Sequence, residues 1–127
     1  METNNLMASK KILVVDDDPD IREIIMMVLE SEGFSVSGLD NGNAVVNTVQ
    51  QTLPDIVLLD VQLGDRDGRD ICRELKEQPS TQAIPIMIIS ASHGWHALRE
   101  KSCNADDFLA KSFDITELVE HVKRLAA

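Results

Sequence analysis

Nowhere in these 127 residues does an apolar run approach the roughly 20 needed to span a bilayer, which excludes a transmembrane helix. The opening stretch, Met1 to Ser9, is polar and lacks the apolar centre of a signal peptide, so residues 1–9 read as a disordered tail. With no export signal, the cytoplasm is the expected compartment. Cysteine is scarce: Cys72 and Cys103 form no close motif, and reduced, partly buried thiols are expected of them. Basic residues are also few, 12 against 22 acidic ones, for a net charge of −10. Such a surface repels phosphate backbones and anionic membranes, so neither nucleic acid nor membrane is expected as a direct partner. There is no internal repeat, low-complexity tract or linker, and residues 10–127 read as one domain.

Short apolar runs and amphipathic stretches do alternate, five times. Ile12-Leu13-Val14-Val15, Ile56-Val57-Leu58-Leu59 and Ile86-Met87-Ile88-Ile89 are rich in β-branched residues and read as strands buried on both faces. The strands are placed at 11–16, 34–39, 55–60, 85–90 and 108–110, with the second alternating as a half-exposed edge. Asp18 and Pro19 open the first helix, whose stripe is Ile21, Ile24, Ile25, Val28 and Leu29, and Gly33 stops it. Further helices carry Val45, Val46 and Val49, then Ile71, Cys72 and Leu75, then residues 94–103 with a poor apolar stripe. Asp114 and Glu117 form a capping box for the last helix, whose inner face is Ile115, Leu118, Val119, Val122 and Leu125. This pattern predicts an α/β fold: a flavodoxin-like, doubly wound five-stranded parallel sheet, order 2-1-3-4-5, with five helices in three layers.

That strand order sets the first and third strands side by side. Ligands of open α/β sheets bind beyond the carboxyl ends of the strands, where Asp16, Asp17 and Asp60 stand. Three carboxylates so close resist ionising together unless a cation joins them. Oxygen donors favour hard cations, Mg²⁺ first and Mn²⁺ as a second option. One carboxylate can also act as a nucleophile toward phosphorus. Ser90 and Lys111 end the fourth and fifth strands on the same rim and could donate to a phosphoryl group.

The stretches KILVVDDDPDIRE, DIVLLDVQLGDRDG, IPIMIISAS and ADDFLAKSFDITEL, in this order and spacing, resemble the receiver domain of two-component response regulators. The resemblance spans residues 10–127 and implies a role for each matching position. Asp60 would be the phosphorylated aspartate. Asp16 and Asp17 would bind Mg²⁺, Asp17 the more directly, with Asp60 and the backbone carbonyl of Gln62 completing the donors. Ser90 would be the switch hydroxyl, Lys111 the salt-bridging lysine and Phe108 the aromatic rotamer switch, while Ala91 would leave the site open. It implies transfer from a phosphohistidine on a sensor histidine kinase or a histidine phosphotransfer protein. A downstream protein target would then read the fourth helix, fifth strand and last helix. Its only catalysis would be self-phosphotransfer and autodephosphorylation. With no output module in the sequence, either a stand-alone regulator or a piece of a larger protein is expected.

Two positions depart from the family pattern. Gly64 stands where a proline is usual, and Ser112 follows Lys111 where the family has a cis proline. A cis bond before a non-proline costs about 2.5–4 kcal/mol, so a trans or strained cis Lys111–Ser112 bond is expected.

Each residue also has a plainer explanation. Asp16 to Asp18 alone would be a turn with a helix cap, Ser90 a strand-end hydroxyl, Lys111 a solvated charge and Phe108 core. The loop Asp65-Arg66-Asp67-Gly68 lacks a full calcium-loop pattern and reads as turn chemistry. His93 and His96 could share a helix face but have no third ligand, and Trp95 between them is a packing or partner residue. A haloacid-dehalogenase-like phosphatase, with Asp16 as nucleophile and Asp18 as acid/base, is the competing enzyme class. A phosphorylation-independent docking receiver is the third reading.

Overall fold

The computed structural model describes residues 10–91, 103–111 and 113–127. Five strands, β1 (Lys11–Val15), β2 (Ser35–Leu39), β3 (Ile56–Asp60), β4 (Ile86–Ser90) and β5 (Asp107–Ala110), pair in parallel in the order β2-β1-β3-β4-β5. The described residues hold four helices, α1 (Pro19–Ser31), α2 (Val45–Thr52), α3 (Gly68–Glu77) and α4 (Ile115–Ala126), where five were expected. The expected helix near 94–103 lies outside the described residues except for Cys103, which is not helical. So do the tail 1–9, the residues His93, Trp95 and His96, and the Lys111–Ser112 bond.

Strand alternation divides the core in two. Leu13, Val15, Val57, Leu59, Ile86 and Ile88 point to one face, where Val45 and Val49 of α2 and Ile71 and Leu75 of α3 cover them. Ile12, Val14, Ile56, Leu58, Met87 and Ile89 point to the other, beneath Ile25 and Leu29 of α1 and Leu118 and Val122 of α4. Each fully buried Leu or Ile contributes about 1.5–3 kcal/mol of apolar transfer, so these two layers carry the fold.

The helix ends follow local chemistry. Asp18 accepts hydrogen bonds from the Asp20 and Ile21 amides at the start of α1, and Asp114 and Glu117 form the expected capping box on α4. Gly33, past the end of α1, has φ 98°, a left-handed conformation that glycine adopts without Cβ strain.

Two residues assigned to inner faces are turned outward: Ile24 is 52% and Ile115 57% exposed. The stripe of α1 centres on Ile21, Ile25 and Leu29, which leaves Ile24 at its margin. Ile115 opens α4 in a turn where Leu118 is the first residue buried. The cysteines are more deeply placed than expected. Both are free and fully buried, and the Cys72 thiol donates to the Cys103 carbonyl oxygen at 3.3 Å.

Candidate functional site: an acidic pocket at the strand ends

The chain runs from β1 outward to β2, then returns to β3 on the other side of β1. This reversal opens a crevice between the carboxyl ends of β1 and β3. Val15 pairs with Leu59, so the next residue on each strand, Asp16 and Asp60, emerges at the crevice together. Asp17 follows on the turn into α1. One carboxylate oxygen from each of Asp16, Asp17 and Asp60 lies within 4.8 Å of the others.

Burial makes this cluster costly. Asp16 is 1% and Asp60 3% exposed, whereas Asp17 faces solvent. Lys111, one residue beyond β5, extends its ammonium to 3.1 Å from Asp60 Oδ2 and 3.1 Å from Asp16 Oδ2. Its position is held by the Lys111 amide, which donates to the Ser90 carbonyl oxygen at 2.6 Å. Burial pushes the Asp60 pKa up, and the Asp16 charge raises it further. The Lys111 ammonium and the Gln62 amide, which donates to the Asp60 carboxylate, offset only part of this. Burial alone would lower the Lys111 pKa, but its bonds and charge contacts with Asp60 and Asp16 outweigh that and raise it.

One ammonium cannot satisfy two buried carboxylates. Asp16 Oδ1 accepts the Asp18 amide at 2.9 Å, whereas Asp16 Oδ2 is buried without a hydrogen bond, its lysine contact being poorly aligned. A buried acceptor left in that condition costs free energy. A cation ligated by oxygens would relieve it, so the donor set fits a hard divalent ion.

Asp60→Asn follows from this frustration. Because the folded-state pKa of Asp60 is raised, its contribution is favourable below the ordinary carboxylate range and is lost as pH rises through the shifted value. The substitution should therefore raise stability at pH 7 without divalent cation by about 1 kcal/mol, some 3–5 °C in Tm. Melting curves should show the gain disappearing below about pH 3.9. A destabilised variant at pH 7 would contradict this account.

The remaining rim residues stand as follows. Ser90 is 6% exposed and ends β4 one position beyond Ile89, the partner of Asp60. Ala91 next to it is exposed. Phe108 is half-buried against the α2–α3 core layer. The Gln62 amide at Asp60 was not foreseen from sequence, nor was Gly68. A Cβ on Gly68 would lie 1.9 Å from the Asp60 carbonyl oxygen, so α3 starts in contact with the main chain of the site. The signal available was a glycine in the first turn of a helix, where propensity disfavours it.

Residues 12–123 match the family model for the response regulator receiver domain. The chain belongs to the response regulator receiver family. Over 115 residues it is 35% identical to the DNA-binding response regulator MtrA of Mycolicibacterium smegmatis, covering 90% of this chain and 49% of that protein. This receiver thus spans about half the length of that relative. Among solved structures it is similar to the receiver domain of a signal transduction histidine kinase from Syntrophus aciditrophicus. There the identity is 34% and the TM-score 0.85, over 93% of this chain and 90% of that one. The receiver domain of a sensor histidine kinase from Pseudomonas aeruginosa, which has a magnesium ion coordinated in its active-site cleft, is 28% identical. Its TM-score is 0.86, over 93% of this chain and 98% of that one. Two-component signalling is the setting of such receivers, and they interact with histidine kinases. No helix among the described residues is long and apolar enough to cross a membrane.

Proposed function

We propose that this receiver accepts a phosphoryl group on Asp60, with Mg²⁺ held by Asp16, Asp17, Asp60 and the Gln62 carbonyl oxygen. The observation that carries the reading is the convergence of three carboxylates with the Lys111 ammonium at one crevice. A carboxylate oxygen of Asp60 attacks phosphorus while the P–N bond to the imidazole of a histidine kinase or phosphotransfer protein breaks. Bound Mg²⁺ would neutralise charge on the phosphoryl oxygens. Lys111 pairs with one of those oxygens, and its bond to Asp60 orients the nucleophile. The oxygen donors suit Mn²⁺ as well, but the magnesium-containing relative favours Mg²⁺. The chemistry ends with the receiver's own acyl phosphate and its hydrolysis, with no external substrate turned over.

The phosphoryl group adds charge and acceptor oxygens at the ends of β3 and β4. Ser90 moves toward it and Phe108 turns inward, which alters the surface around β5 and α4 that a protein target reads. A cytoplasmic location fits this role.

Incubation with Mg²⁺ and acetyl phosphate, followed by intact mass, tests the reading. A single phosphoryl should be gained by the wild type and none by Asp60→Asn. No gain by the wild type would favour a docking module. Repeated turnover of a small phosphoester, lost in Asp16→Asn but not in Asp60→Asn, would favour the phosphatase. Against that enzyme, the Asp18 carboxylate is already engaged in capping α1.

A further inference from the structure

We propose that Asp65 is a positioning residue for the acidic pocket, anchoring the loop 61–67 so that its main chain stays closed over Asp60 and Asp17. The inference deepens the cation-binding reading above and rests on it.

On its inner side this loop frames the pocket. The Gln62 amide donates to Asp60, and a Cβ built on Gly64 would lie 3.6 Å from Asp17 Oδ2. The loop is internally closed. The Leu63 amide donates to the Arg66 carbonyl oxygen at 3.3 Å, the Gly68 amide donates to that of Val61 at 2.7 Å, and Gln62 bridges to Asp67. A displacement at Asp65 therefore moves Gln62 and Gly64 as well. Gly64, with φ 83° and no side chain, supplies no packing of its own to resist it.

On its outer side the loop is tied by Asp65. Its carboxylate accepts the Gly42 amide at 2.8 and 3.1 Å and the Asn43 amide at 3.0 Å. These donors precede α2, whose N-cap, Ala44, offers no side-chain acceptor. The approach is close: a Cβ on Gly42 would lie 2.8 Å from Ile71 Cδ1 and 2.9 Å from Arg66 Cβ. Asn41 provides an internal comparison, since its side-chain oxygen accepts the Ala44 amide at 3.0 Å within the β2–α2 loop.

The test is Mg²⁺ titration calorimetry on the full chain, with melting temperatures measured in parallel. Asp65→Ala should weaken Mg²⁺ binding about tenfold, as loss of a residue supporting a metal ligand does. Asp65→Asn keeps one acceptor oxygen but turns an NH2 donor toward the Gly42 and Asn43 amides in place of the other, so its loss should lie between wild type and Asp65→Ala. Gly42→Ala, which wedges the loops apart, should weaken binding as Asp65→Ala does. Asn41→Ala should lower the melting temperature with an unchanged Mg²⁺ dissociation constant. Unchanged binding by Asp65→Ala overturns the proposal alone. An equal loss in Asn41→Ala does the same. A wild-type chain that binds no Mg²⁺ sinks both this proposal and the reading beneath it.

Discussion

Gly68→Ala should leave the protein destabilised by about 3 kcal/mol or more, a large cost for a single added methyl. Two effects compete. In a helix, alanine is favoured over glycine by about 1 kcal/mol. Against it, the new methyl would lie 1.9 Å from the Asp60 carbonyl oxygen, 2.9 Å from the Asp60 carbonyl carbon and 3.2 Å from Val61 Cα. All three are backbone atoms, so no flexible side chain can yield. To make room, α3 must lift off β3, breaking the bond from the Gly68 amide to the Val61 carbonyl oxygen and opening the layer around Ile71 and Leu75. Urea denaturation should show a much lower midpoint with an unchanged slope. Any folded fraction should take up phosphoryl poorly, because the strained segment carries Asp60. A variant as stable as wild type would show that the helix is free to move away.

Lys111→Met should be the second most damaging change. Removing one partner of a buried charge pair leaves the others uncompensated, at about 3–5 kcal/mol when burial is complete. The Lys111 side chain is 19% exposed, which lowers the expectation to about 2–3 kcal/mol at pH 7 without divalent cation. The pH dependence follows from the shifts. The Lys111 pKa is raised, so its contribution is present up to the ordinary lysine range near 10.4 and fades as pH climbs through the shifted value. On the acid side the deficit should shrink as Asp60, whose pKa is also raised, takes up a proton. Mg²⁺ should restore part of the loss by supplying the missing positive charge. Combining Lys111→Met with Asp60→Asn should cost less than the sum of the two single changes, since one of the stranded carboxylates is gone. An additive double variant, or a deficit independent of pH, would mean that Lys111 acts through packing.

The parts that local patterning encodes were legible from sequence. Four-residue apolar runs announced three of the strands and alternation a fourth, and helix caps at Asp18 and Asp114 marked where two helices begin. The inferred strand order placed Asp16 and Asp60 together, as the β1–β3 register does. The errors fell where a pattern has a margin. Ile24 and Ile115 matched helical stripes, yet each lies at the edge of its stripe and faces solvent. The loop Asp65-Arg66-Asp67-Gly68 was read as turn residues only, although Asp65 holds another loop and Gly68 touches the site.

Residue order alone determined the five strands, the helices that follow the first, second, third and fifth of them, the acidic residues ending the first and third strands, and the lysine ending the fifth. Each depends on periodicity or on neighbours a few positions apart, which a linear pattern records. Tertiary structure alone decided the depth of Asp16 and Asp60, the unsatisfied oxygen between them and Lys111, and the glycines where backbones meet. Those features depend on distances, to tenths of an ångström, between segments that are remote along the chain, and such distances exist only once the layers have packed.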